Sequence, residues 1–273
     1  DYIGKGDFKF GYPHRAEKAH KGEGGKVLVV GGSVNYTGAP YFAATSALKA
    51  GCDLSYVSAP QKPASRIAMN PDLIVYPLES EDTISKKDAQ RILKISCDVI
   101  CIGNGLGDTK ESLDAAKEII GKSKKPMVID GDALKAIKSL LPKLKSNVIL
   151  TPHTGEFKRL FGLKATEKNL RKVAEKYKFT IVLKGSKDII MQGKKIKYNK
   201  SGNPYMSKGG TGDILAGLCA GFLAQGIESF KAACFGALVN GVAGNLAYME
   251  ASISFTASDM LEYIGAAEAI LLE

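Results

Sequence analysis

The chain is poor in the residues that build metal and redox centres. Its three histidines, His14, His20 and His153, are too scattered for a zinc set. The five cysteines, Cys52, Cys97, Cys101, Cys219 and Cys234, are odd in number. Cys97 and Cys101 lack the spacing of a redox or metal pair and have no histidine nearby, so buried, reduced thiols of a cytoplasmic protein are expected. No basic-then-apolar leader opens the sequence, which starts at Asp1 rather than Met and leaves room for a segment upstream. The longest apolar stretch, Ile214–Ala224, is too short to span a bilayer, and no membrane partner is expected. Repeats, low-complexity tracts and internal linkers are missing too, which favours one domain over residues 1–273. Two nucleotide motifs are absent as well. A P-loop ending in Gly121–Lys122–Ser123 would need glycine where Ala116 stands, and a dinucleotide fingerprint on Gly103–Asn104–Gly105 would need glycine where Asp108 stands.

What is present is an ordinary globular composition, 45% hydrophobic and 24% charged. The net charge of +10 favours anionic partners. The densest basic runs, Lys122–Lys125 and Lys194–Lys200, are short and carry no interleaved aromatic but Tyr198, so no nucleic-acid partner is expected.

Residues 1–25 are polar and glycine-rich and read as an entry arm. Near-continuous apolar runs then recur at Lys26–Val30, Leu54–Ser58, Leu73–Tyr76, Val99–Ile102, Met127–Ile129, Val148–Leu150 and Thr180–Leu183. Such runs suit strands covered on both faces. Helical patterns fall between them at Pro40–Lys49, Lys87–Ile95, Glu111–Ile120, Leu134–Leu140, Glu156–Phe161 and Glu167–Tyr177. This alternation predicts an α/β/α three-layer sandwich with a mostly parallel sheet. Ile189–Met191 and Ile196–Tyr198, joined by Gln192–Gly193, read as a hairpin on one edge. Two long helices are predicted at Ile214–Gln225 and Phe230–Glu250. Gly217, Gly221, Gly236, Gly241 and Gly244 would let their backbones approach closely.

Ligands of such sheets sit beyond the carboxyl ends of the strands. The residues there are Gly31–Gly32–Ser33, Gly103–Asn104–Gly105–Leu106–Gly107, Asp130–Gly131–Asp132, Thr151–Pro152–His153–Thr154–Gly155–Glu156 and Lys184–Gly185. The decisive stretch is Ser207–Lys208–Gly209–Gly210–Thr211–Gly212–Asp213, which opens a helix. Its glycines bare the backbone, and free N–H groups at a helix start attract anions, here a phosphate or a phosphoryl group in transfer. Asp213 repels an anion and makes sense as a base toward a hydroxyl that attacks phosphorus. It also suits a plain helix cap.

Taken together, His20–Lys21–Gly22, Gly31–Gly32–Ser33, Tyr36–Thr37–Gly38–Ala39–Pro40, Gly105–Leu106–Gly107, Thr151–Pro152–His153–Thr154–Gly155–Glu156, Lys184–Gly185, Gly202–Asn203–Pro204 and Gly209–Gly210–Thr211–Gly212–Asp213–Ile214–Leu215–Ala216–Gly217 resemble the ADP/ATP-dependent NAD(P)H-hydrate dehydratases of the ribokinase-like superfamily. The resemblance runs from about His20 to about Gly244. It implies a repair reaction, in which a nucleotide phosphorylates the C6 hydroxyl of hydrated NADH or NADPH and phosphate is then eliminated. It implies catalysis by Gly210, Thr211, Gly212 and Asp213, and contact of the hydrate with Ala39, Gly105, His153 and Asp213. Lys184, Gly185, Ser186, Lys187, Asp188 and Gly212 would line the nucleotide, and Glu156 would help position Mg2+ indirectly. ADP or ATP as co-substrate, a homo-oligomer and an epimerase domain or partner are also implied. A vitamin-alcohol kinase of the same superfamily and a non-catalytic nucleotide-binding module are the alternatives.

The chain departs from the family pattern in places. Asn104 replaces a usual proline, which would loosen that turn. Gly131 and Lys135 alter an Asp-Ala-Asp-Ala-Leu-Asn run, and Asp188 stands where threonine is usual. Lys208 replaces a small or hydroxyl residue and would add charge near the anion loop, and Asn240 replaces a frequent histidine.

Overall fold

The computed structural model describes residues 1–13, 18 and 20–273, so His14 lies outside the described residues. Among the described residues nine strands form one sheet: β1 Lys26–Val30, β2 Leu54–Ala59, β3 Ile74–Pro77, β4 Val99–Ile102, β5 Met127–Ile129, β6 Val148–Leu150, β7 Thr180–Leu183, β8 Asp188–Gln192 and β9 Lys195–Asn199. Their order is β3-β2-β1-β4-β5-β6-β7-β8-β9, parallel from β3 to β7 and antiparallel across β7-β8-β9. The predicted edge hairpin is therefore present.

Strands β4, β5 and β6 are apolar throughout because each face meets a helical layer. Val27 and Val29 of β1 and Val99 and Cys101 of β4 join one core, while Leu28, Val30, Ile100 and Ile102 join the other. Side chains alternate across the pleat, so a doubly covered strand has no polar face. The first layer holds α1 (Lys5–Gly11), α2 (Gly38–Lys49), α3 (Gln61–Ile67), α8 (Thr211–Ala224), α9 (Ser229–Ala251), α10 (Ala257–Glu262) and α11 (Ile264–Leu272). The second holds α4 (Lys86–Ile92), α5 (Lys110–Lys122), α6 (Thr154–Phe161) and α7 (Glu167–Lys176).

Helices α2 and α8 touch almost backbone to backbone. A Cβ on Gly217 would lie 2.1 Å from the Ala43 carbonyl oxygen, so only glycine fits, and Gly221, Gly236, Gly241 and Gly244 are similarly crowded. All five cysteines are buried free thiols, as expected.

Four expectations are corrected. The entry arm, to which no helix was assigned, contains one: α1 inserts Phe8, fully buried, against Phe222 and Phe235 at ring-centroid distances of 5.9 and 5.0 Å. The helix expected over Leu134–Leu140 is replaced by two 3-10 turns, Gly131–Lys135 and Leu141–Lys143. Pro142, which lacks an N–H, bars a continuous helix through this segment. Helices α3, α10 and α11 had no counterpart among the predicted elements. Lastly, Ile214–Ala224 is not the longest apolar segment: Ser229–Ser254, with mean hydropathy 1.3, is long and apolar enough to cross a membrane, and 72% of that window is buried inside the protein.

Candidate active site

The strand order places β1 beside β4, with β2 and β3 running away on one side and β5 to β7 on the other. This reversal opens a crevice at the carboxyl ends of β1 and β4. Gly31 and Gly32 close β1 there, Gly103 and Asn104 close β4, Asp130 follows β5, Thr151 follows β6 and Lys184 follows β7. The register pairs Ile102 with Ile129 and Ile129 with Leu150, so the residues after these strands are delivered side by side.

The delivered side chains form one network. Asp130, almost fully buried, accepts hydrogen bonds from Thr151 Oγ1 at 2.6 Å, Lys184 Nζ at 2.8 Å and Asn104 Nδ2 at 3.2 Å. Asn104 Nδ2 also donates to Asp213 Oδ1 at 2.8 Å. Asn104 therefore does not loosen the turn, as its replacement of proline suggested. Its side chain ties the turn to two carboxylates. Burial, and then the charge of Asp130, push the Asp213 carboxyl up to about 7, although Asn104 and Lys184 pull the other way. Burial pulls the Lys184 ammonium down, but Asp130, Glu156 and Asp213 outweigh it and its pKa is raised.

The loop 209–213 separates two cavities. One, of about 610 Å³, is lined by Tyr36, Ala39, Gly105, Glu156, Gly210 and Asp213, among others. The other, of about 700 Å³, is lined by His153, Lys184–Ser186, Asp188, Asn240, Thr211 and Gly212, among others. Gly209 borders both. Gly210 caps α8 in the left-handed conformation, φ 95°, and turns the chain from one cavity wall to the other. Thr211 Oγ1 donates to the carbonyls of Met206 and Lys208 at 2.9 and 3.0 Å, which fixes the loop. Lys184 Nζ would stand 3.5 Å from a Cβ on Gly212, so a cation flanks the start of α8. A further cavity of about 590 Å³ lies elsewhere, around Ser146, Gln192 and Ser229. There Gln192 and Ser229 bond each other and the Ser146 carbonyl.

The expected site residues thus divide. Ala39, Gly105, Glu156, Gly210 and Asp213 face the first cavity, and His153, Lys184, Gly185, Ser186, Asp188, Thr211 and Gly212 face the second. His153, expected at the hydrate, stands on the opposite cavity from Asp213. Its Nδ1 accepts from the Gly155 N–H at 3.0 Å. Lys187 lies outside both linings, with its ammonium 4.4 Å from the Tyr198 ring centre. Asp188 accepts from the Gly185 N–H and from Asn199 Nδ2, both at 3.1 Å, so it shapes the turn between β7 and β8.

Lys208 borders the second cavity beside the loop. Its ammonium donates to the carbonyls of Ile253 at 2.6 Å and Phe255 at 2.5 Å. Glu156 Oε2 accepts from the His153 N–H at 2.9 Å and caps α6. No group of three or more His, Cys, Asp or Glu able to hold a metal occurs among the described residues. Asn104, Asp130, Thr151 and the Arg159 guanidinium on the first cavity were not singled out from sequence as site residues. Position was the available signal for the first three, since each closes a strand.

The model of the NAD(P)H-hydrate dehydratase family matches residues 27–266. The bifunctional NAD(P)H-hydrate repair enzyme of Hyperthermus butylicus is 38% identical over 278 residues, covering 96% of this chain and 52% of that protein. The chain thus spans about half the length of the first relatives it matches. The ADP-dependent (S)-NAD(P)H-hydrate dehydratase of Cenarchaeum symbiosum is 36% identical, covering 96% of this chain and 94% of that one. The ADP/ATP-dependent NAD(P)H-hydrate dehydratase of Bacillus subtilis, co-crystallized with ATP/Mg2+, shares the fold with TM-score 0.84 at 22% identity, over 99% of this chain and 98% of that one. With its strand-end network, its glycine loop and most of its length in the match, this chain belongs to the NAD(P)H-hydrate dehydratase family.

Proposed function

We propose that the protein uses ADP or ATP to dehydrate the S form of hydrated NADH or NADPH. The observation that carries this reading is the single loop, residues 209–213, standing between two cavities with Asp213 on one side and Gly212 on the other. The nucleotide occupies the cavity of Lys184, Gly185, Ser186 and Asp188, and its terminal phosphoryl meets the amides at the start of α8. The hydrate occupies the cavity of Ala39, Gly105 and Asp213.

Asp213 takes the proton of the C6 hydroxyl as its oxygen bonds to phosphorus and the bond to the departing nucleotide breaks. Phosphate then leaves C6 as a proton leaves C5, which restores the ring double bond. Loop N–H groups and Lys184 stabilise the charge of the transfer, and one such donor is worth about 10²–10³ in rate. A carboxyl near pH 7 suits a base working at neutral pH.

A single carboxylate, Glu156, fits an ion that arrives already bound by phosphates, for which a cage of protein ligands is not needed. When bound, Mg2+ neutralises phosphate charge. Glu156, whose Oε2 caps its helix and whose Oε1 lies 3.5 Å from His153 Nε2, would hold one of its waters. An epimerase partner, a homo-oligomeric state and a cytoplasmic location complete the proposal; sedimentation and fractionation check the last two.

The test is an absorbance assay of reduced nicotinamide with the hydrate and ADP or ATP. Asp213→Asn should lower turnover about 10²–10⁴-fold while nucleotide affinity stays within a few-fold. Near-normal turnover would refute the base assignment, and a phosphate ester that accumulates without reduced nicotinamide would favour a kinase.

A further inference from the structure

We propose that Asn104 is a positioning residue for the transfer step, its carboxamide holding the Asp213 carboxylate at the rim of the glycine loop and coupling it to the Asp130–Lys184 pair. The inference rests on Asp213 being the base. Asn104 is buried, and every polar atom of its side chain is engaged. Nδ2 donates to Asp213 Oδ1 at 2.8 Å and to Asp130 Oδ2 at 3.2 Å, while Oδ1 accepts from Cys101 Sγ at 3.3 Å. These partners fix the amide orientation, because the reverse would set a carbonyl oxygen against two carboxylates. Burial pushes the Cys101 thiol well up, so it remains an S–H donor.

The backbone of Asn104 is held as firmly. Its carbonyl accepts from the Gly32 N–H at 2.9 Å, which pins the β4 turn to the end of β1. The base on α8 is thereby fixed to the sheet by one side chain from a residue 109 positions earlier.

Other groups face Asp213 from every side. Cys101 approaches from β4, Asp130, Asp132 and Lys135 from the segment after β5, Glu156 and Arg159 from α6, and Lys184 from the end of β7. Burial and Asp130 favour the protonated acid, whereas Asn104 and Lys184 favour the carboxylate. Removal of the Asn104 donor therefore raises the pH at which the base ionises. A hydrogen bond to a charged group corresponds to about one pH unit or more.

The experiment compares wild type, Asn104→Ala and Asn104→Pro by the pH dependence of kcat/KM, with circular dichroism to establish folding. Carboxyl-carbon NMR, with Asp213 assigned through Asp213→Asn, follows the same ionisation without turnover. The expected result is an acid limb displaced upward by about one unit, so that loss of activity at pH 6 is about tenfold greater than at pH 9. A pH-independent loss with the Asp213 titration unmoved would mean that Asn104 only supports the fold. If Asn104→Ala does not fold, Asn104→Pro, which likewise lacks a side-chain donor, is read by the same criteria. Retained activity in Asp213→Asn would instead sink the base reading, whatever Asn104 does.

Discussion

The Lys184 ammonium lies 2.8 Å from the Asp130 carboxylate and joins the ends of two strands, β7 and β5, that are not neighbours in the sheet. Thr151 at the end of β6 fills the gap and donates to the same oxygen, Asp130 Oδ1. The pair serves two ends. It neutralises a carboxylate only 5% exposed, and it sets a cation beside the start of α8.

Lys184→Met should therefore weaken both folding and chemistry. Breaking a buried pair by removal of one partner costs about 3–5 kcal/mol, and the donors left on Asp130 favour the lower end of that range. Urea unfolding checks this. Turnover should fall with it, and the acid limb of the pH profile should move upward, because Lys184 is one of the groups that keep Asp213 ionised. An unchanged acid limb would separate Lys184 from the base.

Asp213 links activity to stability in opposite senses. Its pKa is raised to about 7 in the folded protein, above the 3.8 of a free side chain. Folding therefore favours the protonated form, and the stabilisation is complete below about pH 4 and lost as pH rises through 7. The ionised form needed for proton abstraction accumulates over the same upper range. Asp213→Asn should accordingly be more stable than wild type at pH 8, by about 1 kcal/mol or more after allowance for partial exposure, and similar to it at pH 4. Thermal melts at the two values decide the matter. A variant less stable than wild type at pH 8 would show that the carboxylate is not under strain.

Much of the architecture was legible because its signal is local. Five strands, β1, β4, β5, β6 and β7, have the bounds that their apolar runs predict, since burial on both faces leaves no polar position to blur them. The rim of the site followed, because ligand residues come directly after strands. Side-chain partners were not legible. Asn104 meets Asp213 only once β4 and α8 are packed, and Lys208 meets the carbonyls of Ile253 and Phe255 only once a distant segment arrives. Helix α1 escaped notice for another reason: with seven residues and one buried side chain, it has no periodicity to detect.

That side chain, Phe8, anchors α1 within a cluster of Tyr12, Phe222 and Phe235. Phe8→Ala should cost about 3–5 kcal/mol, the range for a buried aromatic, while turnover measured well below the melting temperature stays near wild type. Denaturant unfolding and the absorbance assay test the two halves separately. A cost under about 1 kcal/mol would show that the segment is dispensable to the core.

Gly210 is the backbone element on which the shared wall depends. Its φ of 95° is poorly tolerated by residues with a Cβ, and an added methyl would lie 2.6 Å from Ala257 Cβ and 2.8 Å from Phe42 Cε2. The left-handed conformation alone costs about 1–2 kcal/mol for an alanine, and relief of the contacts means moving the start of α8 or the side chain of Phe42. Either movement misaims the amides that receive the phosphoryl group and shifts Asp213, whose carboxylate is only three residues on. Gly210→Ala should thus lose about 10²-fold or more in kcat, comparable to removal of one anion-stabilising donor. Its melting temperature should fall only modestly, since the rest of α8 stays packed against α2. Near-normal kcat in this variant would mean that the loop can be rebuilt without effect on transfer, and that its amides are not what receives the phosphoryl group.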